Sequence, residues 1–330
     1  MRYRLVRNDW GGNPEWIMHL KCRSFALFAV AVSICIAGHA GAIVRVDSSN
    51  RNKSAPTGSL ANSGWQWQGN WGAFTGTPIA KNFFVAASHI GGSVGQTFTL
   101  AGKSYTTTGM FDDPNSDLRI WKVSQSFSSW APLYTGSSEV GKTAMLFGRG
   151  TSRGSAVNVN GTLHGWTWGT QDGKLSWGEN KIKTIIDGGS GIGSVLSYSF
   201  DRSGHGDHVS NEGTTTAGDS SGAIFVNSSG KWQLAGLNYS ADGPFSINGG
   251  SSFMASIFDK GGMSAGGQSF ADGSTDIPGN AFATRISSNQ AWIKSIIGTT
   301  SAATVGSVVP EPASLSLLIS GAMLLRRRRI

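Results

Sequence analysis

The chain has 330 residues, with 27 basic against 19 acidic side chains and a formal charge of +8. Its 47 glycines are about twice ordinary usage but follow no triplet period, which excludes collagen, and twelve Trp with sixteen Phe are too much core material for a disordered chain. So much Gly, Ser and Thr also argues against a coiled coil or an all-helical chain, and for one large all-β domain or two small ones.

Near the N-terminus, Lys21 and Arg23 precede an uncharged stretch over 25–37, and Ala40-Gly41-Ala42 supplies a small-x-small pattern. That layout predicts a secretory signal peptide over 1–42, with Met18 as an alternative start and an apolar run too short to span a bilayer. The mature chain then begins at Ile43. Both cysteines, Cys22 and Cys35, fall inside the signal, so the exported domain has no disulfide and must be held by its core.

From 43 to 299 there is no internal repeat and no charge block. Short apolar or alternating runs at 96–100, 118–123, 144–147, 224–226 and 232–237 are separated by Gly, Asn, Asp and Ser, which predicts many short strands in a barrel or sandwich. Trp65, Trp67 and Trp71, with Phe74, read as a strand lending Trp to a core rather than as a sugar-stacking platform. Residues 249–279 are Gly- and Ser-rich and read as a long loop. Ile286, Trp292, Ile293, Ile296 and Ile297 then fall near helical spacing, and Ser287 with Gln290 suggests a capping box on a terminal helix.

Three segments carry chemistry. An apolar run from Phe83 ends on Ala87-Ser88-His89. Asp117 heads the alternating run Leu118-Arg119-Ile120-Trp121-Lys122-Val123. Thr216-Ala217-Gly218-Asp219-Ser220-Ser221-Gly222 makes a small-residue turn before another apolar run. A hydroxyl nucleophile, a base beside it and a carboxylate that fixes the base's tautomer are what amide hydrolysis needs. Asp112 and Asp113, ahead of a proline, and His164, without a preceding strand, are weaker candidates. His205, Asp207 and His208 could hold zinc or calcium, but no fourth ligand is evident and a polar surface loop is the preferred reading. No metal, cofactor or phosphate loop is expected.

The order His, Asp, Ser, each at a strand end, resembles the trypsin/chymotrypsin-like serine peptidases, and the likeness runs from about residue 70 to 297. Phe83 to His89 is similar to that family's Thr-Ala-Ala-His strand, Asp117 to Val123 to its Asp-Ile-Ala-Leu strand, Gly218 to Gly222 to Gly-Asp-Ser-Gly-Gly, and Thr284-Arg285-Ile286 to the entry into its terminal helix. The resemblance implies an all-β fold of two antiparallel six-stranded barrels with a C-terminal helix, and a serine endopeptidase acting on protein or peptide substrates. It implies Ser220 as nucleophile, His89 as general base, Asp117 as its orienting carboxylate, and the amides of Gly218 and Ser220 as the oxyanion hole. Thr214, six residues before Ser220, falls at the substrate-pocket base, where a neutral residue implies no strong preference for Lys or Arg. Signal cleavage would expose an Ile43 amine to pair with Asp219. Ser221 departs from the family's glycine, which leaves open an inactive homologue or Ser221 itself as nucleophile. A non-catalytic extracellular matrix or adhesion protein on the same scaffold is the rival.

After a linker at 300–309, the chain ends in Pro310-Glu311-Pro312, an apolar run over 313–325 and Arg326 to Arg329. This 310–330 segment resembles the PEP-CTERM sorting tail of Gram-negative bacteria, which implies transient inner-membrane association, processing by an exosortase, and a destination at the cell surface or in the extracellular matrix. Outside the two end segments the chain holds 18 basic and 16 acidic residues, and that balance gives no case for nucleic acid.

Overall fold

In the computed structural model, residues 43–298 are described; the expected signal peptide, linker and sorting tail lie outside them. The strands in chain order are β1 (Val44–Arg45), β2 (Gly69–Trp71), β3 (Phe74–Ala80), β4 (Phe83–Ala87), β5 (Thr97–Leu100), β6 (Lys103–Asp112) and β7 (Leu118–Val123). Then come β8 (Thr143–Gly148), β9 (Arg153–Val159), β10 (Thr162–Trp168), β11 (Ser176–Asp187), β12 (Ser194–Ser199), β13 (Gly213–Thr214) and β14 (Ala223–Ser228). The last are β15 (Lys231–Ala241), β16 (Phe245–Ile247), β17 (Ala255–Ile257), β18 (Met263–Ala265), β19 (Gln268–Ser269) and β20 (Asn280–Arg285), before one helix, α1 (Gln290–Ile297).

Two six-stranded antiparallel barrels form the body. One closes in the order β2-β3-β4-β7-β6-β5 and the other as β11-β12-β20-β15-β14-β8, as the all-β reading expects. The strands between them are apolar on both faces because each face meets a different core. In β4, Phe84 and Ala86 point into the first barrel, while Val85 joins a core shared between the barrels. In β14, Ile224 and Val226 fill the second barrel, and Ala223 and Phe225 meet Val85 in the shared core. The period of two in strand side chains makes this division automatic once the register is set.

The Trp residues are core material. Trp71 sits 4.7 Å from Trp121 and 5.2 Å from Phe84 between ring centroids, inside the first barrel. Trp65 and Trp67 lie on a short 3-10 turn rather than a strand; Trp67 stacks on Phe225 at 5.7 Å and Trp65 packs edge-on to Phe147.

Two expectations change. The 249–279 stretch is not a bare loop: β17 pairs with the distant β10, β18 joins β16 and β19, and Phe245, Ala255, Ile257 and Met263 share a small core with Val157 and Val159. Strands of two or three residues are too short to show a period, and β17 finds its partner about 90 residues earlier in the chain. The terminal helix is present, but without the expected capping box. Asn289 is its N-cap, with no side-chain cap bond, and the Ser287 hydroxyl donates instead to Glu139.

Glu139 is fully buried and accepts two 2.8 Å bonds from the Arg285 guanidinium. Burial alone would raise its pKa, but the bonds from Arg285 and Ser287 outweigh it and hold the group below the usual range. This pair anchors the end of β20 just before α1, whose Ile293 and Ile297 enter the shared core. Glu139→Ala strands a buried cation and is expected to cost about 3–5 kcal/mol in urea unfolding at pH 7, whereas Glu139→Leu with Arg285→Leu is expected to cost much less.

Candidate active site

The apolar run of β4 ends at Ala87, and the chain turns through a single 3-10 turn, Ser88–Ile90, that carries His89. β7 begins directly after Asp117. Ala87 lies opposite Leu118 in the β4–β7 register, and the Ser88 amide continues the ladder by donating to the Asp117 carbonyl at 2.8 Å. That register sets His89 over Asp117. One carboxylate oxygen accepts the His89 backbone amide at 2.9 Å and the other meets His89 Nδ1 at 2.6 Å. An ionised carboxylate can only accept, so Nδ1 bears the proton and Nε2 presents a lone pair. Nε2 lies 2.8 Å from Ser220 Oγ. Tyr239, which nothing in the sequence marked, packs edge-on against the imidazole at 5.7 Å.

Ser220 sits in the turn between β13 and β14. Asp219 donates its amide to the Thr216 carbonyl and Gly222 donates to the Asp219 carbonyl, with Gly218 at φ +86°. Glycine is the residue that takes that conformation without steric cost. The amides of Gly218 and Ser220 have no hydrogen-bond partner among the described residues. The Asp219 side chain is fully buried and accepts bonds from the Gly150 amide at 2.5 Å, the Thr216 amide at 2.8 Å and the Thr216 hydroxyl at 2.9 Å. A Cβ at Gly150 would lie 1.9 Å from that carboxylate, so the approach requires glycine there.

The three donors above occupy Asp219, and Ile43 is buried against Gly178 and Gly213 as the chain enters β1; the pairing expected between Asp219 and a free Ile43 amine concerns the cleaved chain. β1 pairs with β13, placing Val44 opposite Thr214. Thr214 is buried beside a cavity of about 10 Å³, room for one water, that Phe245, Ala241, Thr215 and Asp242 also line. Asp242 is a carboxylate that sequence reasoning missed. It is held by Lys260 at 3.1 Å and by the Asn280 amide at 2.9 Å.

The weaker candidates go elsewhere. Asp112 pairs with Arg119, and Asp113 accepts from Ser116 at 2.7 Å. His164 is buried against Asp259. His205, Asp207 and His208 do not converge: His205 meets Asp201, Asp207 meets Lys181 and Lys183, and His208 meets Asp47. No cluster of three or more His, Cys, Asp or Glu suited to a metal occurs among the described residues. Ser221 is buried at φ +66°, a conformation costing a side-chain-bearing residue about 1–2 kcal/mol. Its hydroxyl accepts the Ala87 amide at 2.9 Å, while His89 Nε2 faces Ser220.

No protein-family model matches the chain, and no curated protein matches it in sequence. Among solved structures, it is similar to neuropsin, a serine protease of mouse brain, at 14% identity and a TM-score of 0.46, covering 75% of this chain and 99% of that one. It is also similar to the active form of the Rv3671c protease of M. tuberculosis, at 14% identity and TM-score 0.42 over 84% and 99% of the two chains. A third likeness is to kallikrein-related peptidase 10, at 14% identity and TM-score 0.41 over 73% and 98%.

Two buried carboxyls set the pH response of this body. Burial pushes Asp219 up to about 8, against the pull of its Thr216 bonds, and pushes Glu212 up to about 9. Each binds its proton more tightly folded than unfolded. The stability it contributes is complete below about pH 4 and lost as pH rises through the folded value. The thermal midpoint is therefore expected to fall between pH 5 and pH 9, with a shallower slope in Glu212→Gln. Calorimetry across that range checks it, and a flat wild-type profile would contradict it.

Proposed function

We propose that the chain is a serine endopeptidase that hydrolyses peptide bonds through a Ser220 acyl-enzyme. The observation that carries this reading is the continuous chain of contacts from Asp117 Oδ2 to His89 Nδ1 at 2.6 Å and from His89 Nε2 to Ser220 Oγ at 2.8 Å. Ser220 Oγ attacks the scissile carbonyl as its proton passes to His89 Nε2, and Asp117 stabilises the imidazolium that results. The unpartnered amides of Gly218 and Ser220 are free to donate to the oxyanion of the tetrahedral intermediate. Collapse expels the amine, which takes the proton from His89. Water then attacks the ester with His89 again as base, releasing the acid and restoring the Ser220 hydroxyl. No metal or cofactor enters this sequence.

Two features had favoured a non-catalytic matrix protein, the Trp-rich segment and Ser221. The Trp rings pack in the cores, and the Ser221 hydroxyl is engaged away from His89. Neither now supports that alternative. Thr214, at the expected base of the substrate pocket, is neutral and offers no carboxylate to a Lys or Arg side chain. We read the ends as export and sorting signals, so that the working domain acts outside the inner membrane, at the cell surface or in the extracellular matrix.

A fluorophosphonate probe tests the chemistry. Labelling is expected on Ser220 and on no other serine, absent in Ser220→Ala, and slower by about 10⁴-fold in Asp117→Asn, which keeps the shape but loses the tautomer control. Unlabelled, correctly folded protein would overturn the peptidase reading. For the addresses, mass spectrometry of exported protein is expected to find Ile43 at the N-terminus and the Arg326 to Arg329 cluster removed.

A further inference from the structure

Of the six non-glycine residues with positive φ among the described residues, five lie at exposed positions: Asn62, Ala101, Asn160, Ser229 and Asn248. Ser221 is the buried one. A strained conformation kept in the interior, next to the nucleophile, calls for something the side chain does there.

The register of β4 supplies it. In an antiparallel pair, opposed residues alternate between exchanging backbone bonds and facing away from one another. Ser88 bonds to Asp117, so Ala87 is in the other class, and its N–H points away from β7. The strand on that side, β3, pairs with β4 only as far as Thr77–Val85. The Ala87 N–H is thus buried with no strand to receive it, and Ser221 Oγ takes it at 2.9 Å. Ser221 itself is fixed in the second barrel. Its amide donates to the Asn238 carbonyl at 2.9 Å, and the Asn238 side-chain amide donates to the carbonyls of Phe147 and Asp219. One hydroxyl therefore joins the first barrel, two residues before His89, to the second, one residue after Ser220.

We infer that Ser221 is a positioning residue: its hydroxyl ties the two barrels at the seam and holds His89 at bonding distance from Ser220. The tie is a statement about structure, while its effect on rate rests on the peptidase reading. A glycine at this position would relieve the backbone but leave the Ala87 N–H without a partner, so the strain and the tie are inseparable in this chain.

The variants Ser221→Gly and Ser221→Ala separate the two. Residue-resolved amide exchange is expected to show Ala87 protected in the wild type and exchanging at least about tenfold faster in both variants, with Ser221→Gly matching or exceeding the wild-type melting temperature. The fluorophosphonate reaction at Ser220 and kcat on a peptide substrate are expected to fall about tenfold in both, with KM unchanged, because substrate contacts are kept while the base is misplaced. Unchanged Ala87 exchange overturns the tie, and wild-type kcat in Ser221→Gly overturns its role in positioning. If the wild-type chain reacts with no phosphonate, the peptidase reading falls, and Ala87 exchange still decides whether the tie exists.

Discussion

The structure depends on one seam. β4 from the first barrel and β8 and β14 from the second are buried on both faces, because alternate residues serve a barrel interior and a core common to both barrels, and β7 contributes Leu118 and Ile120 to that common core. A strand in that position cannot shift by one residue without sending its whole side-chain set into the wrong core. The site inherits this rigidity. His89 and Asp117 hang from the ends of β4 and β7, Ser220 leads into β14, and the distances among them follow from registers that packing has already fixed. Apolar burial thus brings the polar groups near one another, and bonds across the seam such as that from the Ala87 amide to the Ser221 hydroxyl complete the arrangement.

Much of this was legible in the sequence, for a physical reason. A doubly buried strand reads as an uninterrupted apolar run, so Phe83 to Ala87 and Ala223 to Val226 announced themselves, and a His or a Gly-Asp-Ser turn beside such a run stands out. The number and pairing of the barrels came from resemblance rather than from periodicity. What stayed hidden depends on partners far away in the chain. The short strand β17 exists because β10 offers an edge, and the capping box at Ser287 lost to a buried glutamate about 150 residues earlier in the chain, whose charge needs every donor in reach. Tyr239 beside His89 and Asp242 beside Thr214 carry no local mark at all.

Ser221 shows the same limit from the opposite side. As a letter in the sequence it is a defect in a glycine-rich turn, and its hydroxyl suggests either a rival nucleophile or a damaged site. Only the pairing of β4, which leaves one N–H facing the other barrel, gives the residue a task. The cost of the position lies in its own backbone, and the benefit lies across the seam.

The division of the site between barrels also bears on when reactivity could arise. The first barrel is built from 69–123 alone, so its strands can pair while later segments are still unstructured; the second needs the chain as far as Arg285 before β20 can close it. Ser220, its partner His89 and the Asn238 that braces its turn come from three separate stretches of the chain. The constellation is therefore a property of the two barrels together, and neither barrel alone contains it.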